Sequence, residues 1–193
     1  MALWGITDAD EAKPKWLTTA QKKEVFANNS GWVVEAGSTQ TGNDNTDAQP
    51  EVLCCVGDLA TGIGAADITE IEFITTAFDK SDGGNIDVRV RFNEAVTVNT
   101  SGGTPTLTIT NDTPSRNLTA TYLSGSTTNE LIFRKTIAAA NAATNAGDVL
   151  SIAANAMALA SGTIKDTADG TTNATITSIE AIGTAAGSIT VTA

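Results

Sequence analysis

Apolar and polar side chains alternate strictly along residues 85–93. Ile86, Val88, Val90 and Phe92 take one parity; Asp87, Arg89, Arg91 and Asn93 take the other. A period of two puts one set on a buried face and the other toward water, so the stretch predicts a half-buried strand. Asp82-Gly83-Gly84 just before it is turn chemistry. Short apolar runs recur at 68–75, 106–110, 118–122, 131–136, 148–152, 174–179 and 188–192, punctuated by Gly, Asn, Ser and Asp. Eight such runs predict an all-β fold built as an antiparallel β-sandwich. Two alanine-rich stretches, 138–146 and 153–160, favour helix by propensity alone. Asn141, Asn145 and Gly147 interrupt the first, and the pair is expected as loop and strand with at most a short helical turn.

The pattern before residue 67 is different. Residues 1–17 hold Trp4, Trp16, Pro14 and a charged middle without periodicity, and read as an extended arm. A short helix is expected over about 18–29, because Thr18 and Gln21 fit a capping box and good helix formers follow. Gly31 is a plausible stop, and Val25 and Phe26 are the helix's only large apolar residues. Residues 31–36 (GWVVEA) predict a strand and 37–49 a polar loop. A second strand over 51–57 carries Val52, Leu53, Cys54, Cys55 and Val56, apolar on both faces. That pattern predicts burial between layers or beneath another chain. Residues 58–67 (DLATGIGAAD) predict a tight turn. Gly62 and Gly64 echo a dinucleotide loop but lack its third glycine, its helix and its βαβ unit. The chain divides on this reading into an arm and attachment region, 1–66, and a sandwich, 67–193.

Charge narrows the partners. The net charge is -11, with four basic and nine acidic residues up to position 66 and seven and thirteen after it. Neither part offers a basic footprint for phosphate backbones, so a nucleic-acid partner is not expected. No histidine occurs, which removes Ser-His-Asp and Cys-His catalysis and ordinary zinc sites. The only cysteines, Cys54 and Cys55, are adjacent; neighbours on a strand point to opposite faces and cannot form an ordinary structural disulfide. They read as two small hydrophobes on a buried strand, with a strained vicinal bond or an intermolecular link as alternatives, and they suit a reducing site of synthesis. The first residues lack the basic and apolar regions of a signal peptide, and no apolar run approaches the ~20 residues that span a bilayer.

Three features bear on chemistry. Asp79, Asp82 and Asn85, and Asp166 with Asp169 beside Gly170, make oxygen-rich loops of the kind that hold Ca²⁺. Neither has regular ligand spacing, and acidic turn residues are the ordinary alternative. Carboxylate acid–base work needs two Asp or Glu facing each other across a cleft. A chain with only 5% aromatic residues lacks the platforms of a glycan cleft. Arg89 and Arg91 share one strand face and could pair across it, with solvated sheet charges as the default reading. No catalytic residue, no bound cofactor other than the Ca²⁺ those loops allow, and no metal ligand are expected. Tryptophans in a tail gain nothing unless the tail docks, on another molecule or back on the chain's own body. The candidate contact residues are Trp4, Pro14, Trp16, Leu17, Phe26 and Trp32.

The stretches VRVRFNEAVTV, GTPTLTI, the run 120–133, the run 149–159 and GTIKD resemble the immunoglobulin-like repeats of bacterial and phage surface proteins. MALWGITDADEAKPKWLT and the segment from GWVVEAGS to GAADIT resemble the opening of small virion-associated proteins of tailed phages that infect marine cyanobacteria. The resemblance implies a non-enzymatic virion protein, a capsid decoration protein made in the host cytoplasm and placed on the outer capsid. Its implied partners are the major capsid protein and neighbouring copies of itself, with weak contact to host-surface glycans; no membrane is involved. A tail or fibre component and a carboxylate glycan hydrolase are the rival readings.

Overall fold

A computed structural model describes residues 13–193. The early elements are α1 (Thr19–Lys23), β1 (Val25–Asn28), β2 (Gly31–Val34), β3 (Glu51–Cys55) and α2 (Leu59–Gly62). Then come β4 (Ile68–Phe73), β5 (Phe78–Asp79), β6 (Gly84–Asn99), β7 (Thr106–Asn111), β8 (Leu118–Ser124) and β9 (Thr128–Ile137). The last are β10 (Val149–Ser151), β11 (Met157–Ala158), β12 (Thr163–Asp166), α3 (Glu180–Ala185) and β13 (Ser188–Thr192). The chain is an all-β sandwich, as the periodicity predicts.

The spine is β6. It pairs antiparallel with β4 and β9 over its first half, antiparallel with β12 over its second, and parallel with β1 at Ala27↔Glu94. From β9 the hydrogen-bonded order runs through β8, β7, β10 and β13 to β5. The inward row Ile86, Val88, Val90 and Phe92 is buried and meets Leu107, Ile109, Leu131, Phe133, Leu150, Ile164 and Ile189 in the larger core. Burying each such side chain contributes roughly 1.5–3 kcal/mol. A smaller core joins Val25, Ala27, Trp32 and Val34 of the first hairpin to Val56, Leu59 and Ala60, with Leu17 and Ala168 packed at its edge.

Several expectations need correction. The Thr18–Gln21 capping box is present, but α1 stops at Lys23. Val25–Asn28 is strand, because branched Val25 and aromatic Phe26 bury better in a hairpin with β2 than on so short a helix. Gly31 opens β2 rather than ending a helix: at φ +128 an added Cβ would lie 2.0 Å from the Cys54 carbonyl oxygen. β3 is a sheet edge, with Val52 48% exposed and Cys55 exposed, so it is not buried on both faces. The cysteines are free: half-buried Cys54 packs against the smaller core, whereas Cys55 is exposed and is not a core hydrophobe. Residues 174–179 form no strand; the bridge Asp67↔Thr175, with Lys165↔Asn173 just before it, and hydrogen bonds between Ser178 and Asn155 tie this stretch instead. The helices α2 and α3 and the strands β5 and β12 were not among the expected elements, each being too short or too mixed to show a period. Of the alanine-rich stretches, the first forms turns and the second contains β11.

Candidate functional site on the two faces of β6

The region before Ala66 wraps β6 from both sides, and each side holds buried carboxyl groups. On the outward parity Arg89 and Arg91 stand opposite Glu72 and Glu70 of β4, and Arg91 also opposes Glu130 of β9. Arg91 donates from Nη1 to Glu70 at 2.8 Å and Glu72 at 3.2 Å, and from Nε to Glu130 at 2.6 Å and Glu35 at 3.3 Å. Lys23 of α1 pairs with Glu70, Arg89 pairs with Glu72, and the Asn129 amide donates to Glu35 at 2.7 Å. Arg91 is therefore buried, not solvated, because Glu35 and α1 lie over a face that alternation alone assigns to water.

The electrostatics follow from that covering. Burial, then the Glu130 carboxylate, pushes the Glu35 carboxyl up to about 7, against the pull of Arg91 and Asn129. Burial likewise brings Lys13 down to about 8. Burial opposes the charges of Arg91 and Glu70, but Arg91's carboxylate partners raise its pKa, and Lys23 with Arg91 lowers that of Glu70. A guanidinium forking to several carboxylates satisfies its donors in a fixed geometry, which suits it to joining elements.

The inward face holds the opposite arrangement. The parity that buries Phe92 and Val96 also points Glu94 inward, and Glu94 is 0% exposed. Neither of its carboxyl oxygens accepts from an N–H or hydroxyl donor. Ladder pairing aligns Trp32, Ala27 and Glu94 on one face of three adjacent strands, and the Trp32 indole N–H is also buried without an acceptor. Asp166, at the end of β12, is buried with Glu94 and accepts a bond from the Ala168 N–H at 2.6 Å. Burial, then the charge of Asp166 and a carboxyl–carboxyl hydrogen bond with it, then Asp67 and Asp169, pushes Glu94 up to about 8, and burial also raises Asp166. A pocket of about 230 Å³ beside the pair is lined by Asn28, Asn29, Ala60, Glu94, Asp166 and Ala168 among others.

Two such carboxyls can share a proton or face a cation. They do not flank a glycan, since Glu94 has no exposed surface and glycosidase carboxyls stand apart across an open site. A signal for Glu94 was present in the sequence: the alternation Ile86, Val88, Val90, Phe92 continues through Glu94 to Val96, placing a carboxylate in a core row.

The predicted contact residues scatter. Trp4 lies outside the described residues. Pro14, Phe26 and Trp32 are buried within the chain, Trp32 in the smaller core, so as they stand they offer no surface to a partner. Leu17 packs against that same core, and among the described candidates only Trp16 is open, at 62% exposure. The side chains of the acidic turns accept hydrogen bonds from nearby backbone N–H and hydroxyl groups. Asp79 accepts from the Ser81 N–H at 2.8 Å and hydroxyl at 2.6 Å, Asn85 from the Thr136 hydroxyl at 2.7 Å, and Asp169 from the Thr171 and Thr172 N–H groups at 2.7 and 2.9 Å. These bonds, led by the Thr172 hydroxyl, hold Asp169 down to about 2. Among the described residues no three His, Cys, Asp or Glu side chains gather as a metal-ligand group. No family model, curated protein or solved structure matches the chain.

Proposed function

We propose that the chain is a non-catalytic structural protein of a phage particle, a capsid decoration protein. On this reading residues 1–66 bind the assembled shell and 67–193 form an immunoglobulin-like module turned outward. Trp16 is the observation that carries it. The segment around it is fixed, with Pro14 buried and Leu17 packed on the smaller core, yet the indole stands 62% exposed. A large aromatic held rigidly in water is the residue type that anchors protein interfaces, and ordering it beforehand lowers the entropy lost on docking. The open edge of β3, with Val52 beside it, adds apolar surface on the same region of the chain. The net charge of -11 suits a position away from packaged nucleic acid.

The test is co-sedimentation of the full chain with assembled shells, followed by electron microscopy. Trp16→Ala is expected to keep the thermal midpoint and to weaken attachment by roughly tenfold or more. Undiminished binding of that variant would overturn this attachment surface. Density on the tail rather than the head would replace decoration with the tail or fibre reading.

A further inference from the structure

We infer that Glu94 and Asp166 form a binding site for a hard divalent cation, Ca²⁺ in particular, at the seam between the first hairpin and the sandwich. Four observations carry this. Both Glu94 oxygens are buried and meet no N–H or hydroxyl donor, only the Asp166 carboxyl, although a polar group taken out of water is normally satisfied. Glu94 and Asp166 line the same pocket of about 230 Å³, which has room for an ion with bound water. The charged groups that act most strongly on Glu94 are Asp166 from β12, Asp67 ahead of β4 and Asp169 from the loop after β12, all negative. The elements packed on the other side, β1 and α2, line the pocket with Ala27, Asn28, Asn29 and Ala60, none of them titratable.

The donor chemistry selects the ion. Carboxylate and amide oxygens without nitrogen or sulfur ligands suit Ca²⁺ and disfavour zinc or copper. Two carboxylates supply the charge and water can complete the shell, while the Asn28 and Asn29 amide oxygens at the rim already accept from the Ser30 N–H and the Thr61 hydroxyl; Asp67 and Asp169 deepen the negative potential without joining it. The site differs from the acidic turns at Asp79 and Asp169, whose oxygens close the turns themselves. A bound ion would displace the proton that Glu94 and Asp166 otherwise share and tie β6 and β12 together beside β1, coupling the N-terminal region to the sandwich.

The experiment titrates the full chain with CaCl2 by calorimetry, and with Tb³⁺ while exciting tryptophan, since Trp32 lies two strands, roughly 10 Å, from Glu94. Saturable binding is expected, with Tb³⁺ emission displaced by Ca²⁺. Glu94→Gln and Asp166→Asn should each weaken binding by roughly tenfold or more, because affinity follows ligand charge, whereas Asp79→Asn should not change it. Amide shifts on adding Ca²⁺ to the unaltered chain should centre on Ala27, Asn28, Asn29, Glu94 and Asp166, which locates the ion even if a variant fails to fold. No saturable binding up to about 10 mM Ca²⁺, beyond the weakest class of protein calcium sites, would overturn the inference. So would shifts centred on Asp79, or binding that survives both carboxylate variants.

Discussion

Arg91 and Glu94 stand three residues apart on one strand and on opposite faces of it, and both are buried. Around Arg91, carboxylates from β4, β9 and the loop after β2 meet cations from β6 and α1, so nearly every charge has a partner. Around Glu94 the carboxyls meet only one another. The difference shows what a buried charge does in each setting. A partnered cluster binds two regions of chain into one geometry, and an unpartnered one raises the energy of the fold unless a proton or an ion arrives.

Replacing Arg91 by Met should produce the largest effect, about 3–5 kcal/mol lost in urea unfolding, because buried Glu70 and half-buried Glu35 and Glu130 would lose their common cation. Glu94→Leu should move the other way. It removes two oxygens that no N–H or hydroxyl donor reaches and keeps a similar volume, so the ion-free protein should become more stable by about 1 kcal/mol. If both substitutions destabilise equally, the contrast between the faces is wrong.

A pH series sharpens the same contrast. Glu35 has its pKa raised from 4.5 to about 7, so the folded state holds that proton more tightly than the unfolded chain. Its contribution is fully present below pH 4.5 and is lost as pH climbs through about 7. Glu35→Gln should flatten stability across that window, by on the order of 1 kcal/mol, as read from denaturant midpoints at successive pH values. An unchanged pH profile would show that Arg91 already holds Glu35 ionised.

Much of the sandwich is legible from side-chain parity. The row Ile86, Val88, Val90, Phe92 announces β6, and its neighbours in the larger core come from similar runs. The two-residue β5 and the helix α3 are not legible, because elements that short carry no period and are held by partners distant in sequence. The first hairpin illustrates the same limit: Thr18 and Gln21 cap a helix as expected, while pairing with β2 makes Val25–Asn28 a strand. Of the candidate contact residues, burial withdrew Pro14, Phe26 and Trp32 and left Trp16.

Residue order by itself determined that this chain is all-β, acidic and without histidine chemistry, and which parity of β6 faces the core. Tertiary structure alone decided that Arg91 is buried, that β3 is an edge, and that Glu94 and Asp166, far apart along the chain, share one pocket. The physical reason is range. Periodicity reports which side of its own strand a residue takes, whereas burial and charge pairing depend on what the rest of the chain lays over that side.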